Sequence, residues 1–364
     1  MSASDASPSF LSRLRSFAPP RTATLRLTYR AEGTIRLKSP PASVWRGQLG
    51  EFLHRIAPTH HHDNNLSLYR RLFRTPRAAV DLPKGYDERM LGRLGLAGDH
   101  VPHPFVMRMA SAPVPGQPLQ VAPGDAVGIE LTLMEAALET VPALCAAFES
   151  LATNGIGSRT EQPGGSRRRG RAVLTAAVLD TGGTTTTLYD GSSWTLPPSC
   201  STDLLPDVVM PQPCPDADAP VTLALWTPLR LTHRRRVVGP GDVSVPALGA
   251  AFFRRLVGLA VCYSPMPPSP QQATTLLDAF FALGDATTVT TDVRWAEDSR
   301  YSARQGTRHP TGGLVGSIRL EGTPDVNRSW RLLAEAVAPL HLGTQTALGL
   351  GSVEPVPAGA PADA

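Results

Sequence analysis

The order of apolar periodicities along this 364-residue chain predicts an α+β architecture of two consecutive βαββαβ units, the ferredoxin-like topology. Three observations carry the prediction. Strand-type alternation and helix-type stripes appear in that order twice, a stretch rich in Thr and Pro separates the two rounds, and the chain is long enough for two cores.

Residues 22–30 alternate apolar and polar, with Leu25, Leu27 and Tyr29 on one face, which is a strand pattern. Residues 44–56 place Val44, Leu49, Phe52, Leu53 and Ile56 on one face of a helix. After a polar, His-rich loop and Pro/Gly-rich segments come strands at 103–110 and 126–134. A helix from about 138 to 153 carries Val141, Leu144, Cys145, Phe148 and Leu151 as its stripe, and 171–179 closes the set as a strand. Residues 180–218 hold the run from Thr184 to Thr187 and a cluster of prolines, and read as linker or irregular surface structure. The order then restarts with a strand at 221–231, helices at 247–263 and 271–283, and strands at 288–295 and 313–320. A helix at 330–341 and a strand at 347–353 end it.

The expected organisation is a flexible segment 1–21, a first ferredoxin-like domain 22–180, a linker 181–218, a second domain 219–356 with a glycine-rich loop, and a disordered tail 357–364. A single open α/β sheet is the other arrangement these alternations allow. With 41% hydrophobic and 18% charged residues the chain reads as globular, not disordered. Its net charge of +4 suits a polyanionic partner, and Lys38 and Lys84 are the only lysines. The arginine bias follows from a GC-rich coding sequence, from the forked phosphate-binding geometry of guanidinium, or from both. Cys145, Cys200, Cys214 and Cys262 fall at no metal-ligand spacing, which points to a reduced, cytoplasmic protein and not to a disulfide framework. The first twenty residues read as no signal peptide, and no apolar run reaches the ~18 residues of a membrane span, so no membrane partner is expected. Neither a Walker-type phosphate loop nor a nucleophile elbow is present.

Specific residues carry a resemblance. In the second half they are Arg300-Tyr301-Ser302-Ala303-Arg304-Gln305, Gly312-Gly313-Leu314-Val315-Gly316, His341-Leu342-Gly343 and Leu348-Gly349-Leu350-Gly351. In the first half they are Trp45-Arg46-Gly47-Gln48-Leu49-Gly50, Tyr69-Arg70-Arg71-Leu72-Phe73 and Asn154-Gly155-Ile156-Gly157. Together they resemble the CRISPR-associated repeat-processing endoribonucleases of the RAMP superfamily, which are built from tandem ferredoxin-like, RRM-like domains. The final loop, Gly343-Thr344-Gln345-Thr346-Ala347, carries no charge where members of the family often have Lys or Arg.

The resemblance implies metal-independent, cofactor-free cleavage of CRISPR repeat RNA (pre-crRNA) to guide RNA. The ribose 2′-hydroxyl attacks the adjacent phosphate and leaves a cyclic phosphate and a 5′-hydroxyl. Partners would be the repeat RNA or crRNA and other CRISPR effector subunits. The other reading is a non-catalytic RAMP subunit that holds crRNA in an effector complex, since one fold serves both. Histidine suits the acid and base roles because its ordinary pKa lies near neutrality. The family's acid–base histidine lies on or just after the first helix, which here offers His54 and His60, with Tyr69 as an orienting or proton-donating group. His54 could equally pack beside the apolar stripe, His60, His61 and His62 could be solvated or hold a metal loosely with Asp63, and His309 and His341 are rival candidates.

For RNA binding, Gly343, Gly349 and Gly351 could bring backbone N–H groups to phosphate oxygens, or cap a helix and relieve crowding. Arg300, Tyr301 and Arg304 could combine phosphate pairing with base stacking, or Tyr301 could be core packing at a strand end. Arg159, Arg167, Arg168, Arg169 and Arg171 form one basic cluster, and Arg230, Arg234, Arg235 and Arg236 a second around His233; each is a phosphate-contacting surface or a solvated loop.

Overall fold

Alternation of apolar and polar residues makes Thr22–Ala31 (β1) a half-buried strand, with Leu25, Leu27 and Tyr29 turned to the core and Arg26, Thr28 and Arg30 away from it. The computed structural model describes Phe10, Arg13 and residues 19–56, 67–111, 114–161, 165–195, 205, 218–302 and 306–356, except the side chains of Ile56, Tyr301 and Ser302. The first half continues with β2 (Ile35–Leu37), helix α1 (Pro41–Ile56), a π-type turn at Arg70–Arg74, the short helix α2 (Glu88–Leu94), β3 (Phe105–Met109), β4 (Leu119–Val121) and β5 (Ala126–Met134). Helix α3 (Val141–Asn154), the hairpin of β6 (Ile156–Glu161) and β7 (Arg167–Gly170), β8 (Ala172–Asp180) and β9 (Thr185–Tyr189) complete it. Its five-stranded antiparallel sheet has the order β3-β5-β1-β8-β9. The first four strands stand in the ferredoxin-like order. Helices α1 and α3 cover one face, and Trp45 of α1 lies 5.2 Å from the Tyr29 ring and 6.0 Å from that of Phe148.

The second half repeats the plan. Its elements are β10 (Val221–Leu229), the small hairpin of β11 (Thr232–His233) and β12 (Arg236–Val237), α4 (Val245–Tyr263), α5 (Pro270–Asp285), β13 (Thr288–Ala296), the hairpin of β14 (Ser299–Ser302) and β15 (Thr307–Pro310), β16 (Gly313–Glu321), α6 (Pro324–Val337) and β17 (Val353–Val356). The four-stranded sheet order, β13-β16-β10-β17, is again that of βαββαβ. The chain is therefore an α+β protein of tandem ferredoxin-like sheets, and no sheet is continuous across both halves among the described residues.

Several local expectations give way. Part of the expected linker is a strand, because the β-branched run Thr185–Thr187 suits the pleat and β9 pairs with β8 along the sheet edge. The expected last strand at 347–353 starts with a 3₁₀ turn at Thr346–Leu348, because Gly349 and Gly351 hold left-handed φ of 87° and 74°; pairing begins only at Val353. Arg167–Arg169 belong to a hairpin, not a loop. Helix α4 is, after all, long and apolar enough to cross a membrane, with a mean hydropathy of 1.5, but 78% of that window is buried in the core of the second domain. The expected N-terminal segment is described only at Phe10, Arg13 and 19–21, and the tail 357–364 lies outside the described residues.

The two cores meet along a seam. Helix α2 starts where Asp87 accepts a hydrogen bond from the Met90 N–H (2.6 Å) and stops at Gly95, φ 76°. Although it precedes β3 in the chain, its Met90, Leu91 and Leu94 pack into the second core. A Cβ on Gly258 of α4 would lie 2.7 Å from the Leu94 carbonyl oxygen, so only glycine allows this approach. Tyr86 donates to the Pro268 carbonyl (2.6 Å), Ser39 to Asp298 (2.6 Å), and Arg108 pairs with Glu354 (3.0 Å).

Candidate functional site

One face of α1 runs along this seam. Ala42, Arg46, Gly50 and His54 recur every fourth residue and form a single stripe. At its start, a Cβ on Gly349 would come within 2.5 Å of the Ala42 Cβ, so the glycine-rich loop of the second domain rests directly on α1. Gly50 lies under Phe73, whose Cε1 would be 3.1 Å from an added Cβ. At the far end, exposed His54 meets half-buried Tyr69, their ring centroids 5.0 Å apart. Tyr69 stacks in turn on Phe73 at 5.7 Å and an interplanar angle of 5°.

The middle of the stripe is cationic. The Arg46 guanidinium sits 5.0 Å from the Phe73 ring centroid, and its Nη2 donates to His103 Nε2 at 2.9 Å. Burial, with repulsion from Arg300, brings Arg46 down to about 10 against a weaker opposite influence of Tyr69. Arg300 stands on β14 opposite His309 of β15, and its charge, from the second domain, adds to the lowering of Arg46. Burial, followed by Arg46, Arg255 and His100, holds the His103 imidazole down to about 3. Neither Arg46 nor Arg300 is in an ion pair among the described residues, and the Nε of each is buried without a hydrogen-bond partner.

The sequence-derived candidates separate here. His54 and Tyr69 come together. His60, Arg304 and the side chain of Tyr301 lie outside the described residues, while the Tyr301 backbone pairs with Arg308. His341 is buried, its Nδ1 donating to the Leu350 carbonyl at 3.0 Å, and burial takes it to about 3, so it is closed to solvent. His309 lies on the β14–β15 hairpin, 3.1 Å from the Thr307 hydroxyl. Gly349 and Gly351 are buried, and their N–H groups donate to the Thr346 (3.0 Å) and Pro228 (3.1 Å) carbonyls. An added Cβ would meet Ala42 in the first case and the Leu342 carbonyl oxygen at 1.9 Å in the second. Gly343 is half-buried with a left-handed φ of 84°, and an added Cβ would lie 2.6 Å from the Arg230 carbonyl oxygen.

The first arginine cluster does converge. Arg159, Arg167, Arg168, Arg169 and Arg171 line a groove of about 920 Å³ beside Asn154 and Glu32. Gln48 of α1 holds the turn into β6, next to Asn154 in the chain, its amide donating to the Gly155 carbonyl (3.2 Å) and accepting from the Gly157 N–H (3.1 Å). The second cluster divides. Arg230 donates to the Gly312 carbonyl (2.8 Å), whereas Arg234 and Arg235 occupy left-handed positions of the β11–β12 turn, exposed. Sequence reasoning missed Arg46 and His103. Arg46 was legible as two four-residue steps before His54; His103, far away in the chain, had no such signal.

The AF_1859_N family model, of an N-terminal domain, matches residues 19–199. No curated protein matches. Among solved structures the chain is similar to a Cas6 product complex, at 14% identity over 93% of this chain and 100% of that one with a TM-score of 0.48. It is similar to Thermus thermophilus Cas6, at 14% identity over 93% and 100% with a TM-score of 0.44. A structure described as an RAMP protein binding different RNA substrates is 10% identical over 92% and 100%, with a TM-score of 0.43. These are likenesses of fold.

Proposed function

We propose that the protein is a metal-independent endoribonuclease that cuts CRISPR repeat RNA into guide RNA. The observation that carries this reading is the pairing of exposed His54 with Tyr69 at the end of a helix face that also bears Arg46, with Arg300 across the seam. His54 takes the proton of the ribose 2′-hydroxyl, and the 2′-oxygen attacks phosphorus. The bond to the 5′-oxygen breaks, and that oxygen receives a proton from Tyr69. The products are a cyclic phosphate and a 5′-hydroxyl, and the nucleophile is the RNA's own, so the protein need only move protons and hold charge. His60 is the alternative base. The arginine groove on the β6–β7 hairpin, with Arg300, Tyr301 and Arg304, supplies backbone and base contacts to the RNA.

The motif resemblance and the tandem ferredoxin-like fold support an RNA partner for either an enzyme or a guide-holding subunit. The His54–Tyr69 pair favours the enzyme, because a holding subunit needs no acid–base couple. The test is incubation with the genomic repeat RNA in EDTA, followed by mapping of both product ends. A cyclic phosphate upstream and a 5′-hydroxyl downstream are expected. Tight binding without a cut would leave the guide-holding subunit.

A further inference from the structure

The turn that presents Tyr69 and the side chain that holds Arg46 share one residue. Thr75 ends the π-type turn at Arg70–Arg74, its N–H donating to the Arg70 carbonyl at 2.8 Å. It does so at φ 39° and ψ 56°, a left-handed conformation that a β-branched residue seldom adopts and that persists only where the surroundings enforce it. π-type turns of this kind recur at functional sites. The Thr75 side chain is buried and its hydroxyl donates to the Val101 carbonyl at 2.7 Å, which leaves its lone pairs to accept.

His103 Nδ1 lies 3.4 Å from that hydroxyl oxygen. A guanidinium can only donate, so the 2.9 Å contact from Arg46 makes His103 Nε2 the acceptor and puts the ring proton on Nδ1, facing Thr75. The directions form a chain: Arg46 to His103, His103 to Thr75, Thr75 to the backbone. An imidazole held down to about 3 by burial and by Arg46, Arg255 and His100 is too weak a base to take a 2′-hydroxyl proton. It is well suited to accept one hydrogen bond at every working pH. Arg46 is fixed at Nη2 and by the face of Phe73, has no carboxylate partner among the described residues, and lies near a second guanidinium, Arg300. A fixed guanidinium with no carboxylate partner among the described residues, under the influence of a second cation, describes a place for an anion.

We propose that Arg46 is the guanidinium that receives an RNA phosphate beside the His54–Tyr69 pair, and that His103 and Thr75 are positioning residues that hold it there. The charge of Arg300, from the other domain, reaches Arg46 and adds to the positive potential there. The assignment rests on the reading of the substrate as RNA.

The experiment pairs two measurements on the full chain. One is single-turnover cleavage of the repeat RNA. The other is binding, across a range of salt, of the same RNA with a 2′-deoxy sugar at the cut. Arg46→Ala should slow cleavage by about 10²–10³-fold, as removal of one preorganised charge donor does. It should also lower the log–log salt slope of binding by about 0.7, the share of a single phosphate. His103→Leu should slow cleavage by about ten- to a hundredfold through misplacement of Arg46. His103→Gln should recover most of that rate, because its amide oxygen can accept the same bond. The acid limb of the pH–rate profile should stay where it is in His103→Leu.

The proposal is overturned if Arg46→Ala keeps the wild-type rate and slope. It is also overturned if His103→Gln is as slow as His103→Leu at an equal melting temperature, or if His103→Leu moves the acid limb, which would make the imidazole the base. Should Arg46→Ala lower the melting temperature, Arg46→Gln, which keeps an N–H donor without the charge, decides the slope. A wild-type protein that binds and never cuts would refute the endoribonuclease reading, while the slope would still decide Arg46.

Discussion

The α1 face and the β6–β7 hairpin both gather positive charge, in opposite ways. On α1 a single arginine is half-buried, hydrogen-bonded to one imidazole, packed on one ring and influenced by the charge of one other guanidinium. On the hairpin Arg167, Arg168 and Arg169 stand exposed around an open groove of about 920 Å³. Charge removed from water acts strongly at one fixed point, which suits a charge that develops during a reaction. Charge left in water acts weakly, additively and subject to salt, which suits the grip on a long polyanion. On the proposed reading of the protein as an endoribonuclease, the seam is the place for chemistry and the hairpin the place for affinity.

The largest effect expected from this contrast is at the seam's exposed end. His54→Ala should slow single-turnover cleavage by about 10²–10⁴-fold while the dissociation constant for repeat RNA hardly changes. A parallel drop in affinity would place His54 with the binding surface and break the contrast.

Stability should also be concentrated at the seam. His103 and His341 are held down to about 3 in the folded chain, against an ordinary 6.5. Between those values the unfolded chain binds protons that the folded chain does not, so stability falls as pH falls through that window. Urea unfolding should therefore show a drop in stability on going from pH 7 to 5, and His341→Gln should flatten that drop. An equal drop in His341→Gln would assign the acid sensitivity to other groups. A smaller effect follows for Gly349→Ala, where the left-handed φ of 87° and the 2.5 Å approach to Ala42 both oppose a Cβ. We expect a lower melting temperature, equivalent to about 1–3 kcal/mol, together with slower cutting as the loop is pushed off α1.

The smallest effect per residue is at the hairpin. Replacing Arg167, Arg168 and Arg169 with Ala should reduce the log–log salt slope by about 0.7 for each phosphate that is no longer neutralised, and leave the cleavage rate at saturating RNA near wild type. A collapse of the saturated rate would show that the hairpin takes part in the chemistry.

What the sequence made legible follows the same division. The two sheets could be read because period-two alternation in stretches such as Leu25, Leu27 and Tyr29 has one structural outcome once a face is buried. The arginine groove could be read because its residues are close together in the chain. The seam could not. Arg46 and His103 are 57 residues apart, Gly349 lies far from Ala42, and nothing local announces that they meet. The glycine-rich loop left two readings open for a related reason: glycine permits close approach, and the sequence does not say whether phosphate or another helix approaches. At Gly349 it is a helix.

In the proposed function the seam supports metal-independent cleavage by the RNA's own hydroxyl. The most direct test compares, in EDTA, single-turnover cutting of all-ribose repeat RNA with that of the same RNA carrying a 2′-deoxy sugar immediately upstream of the cut. The account predicts full cutting of the first, to a cyclic phosphate and a 5′-hydroxyl, and none of the second, with similar binding of both. Cutting that survives the deoxy sugar, or that starts only when Mg²⁺ is added, would contradict it.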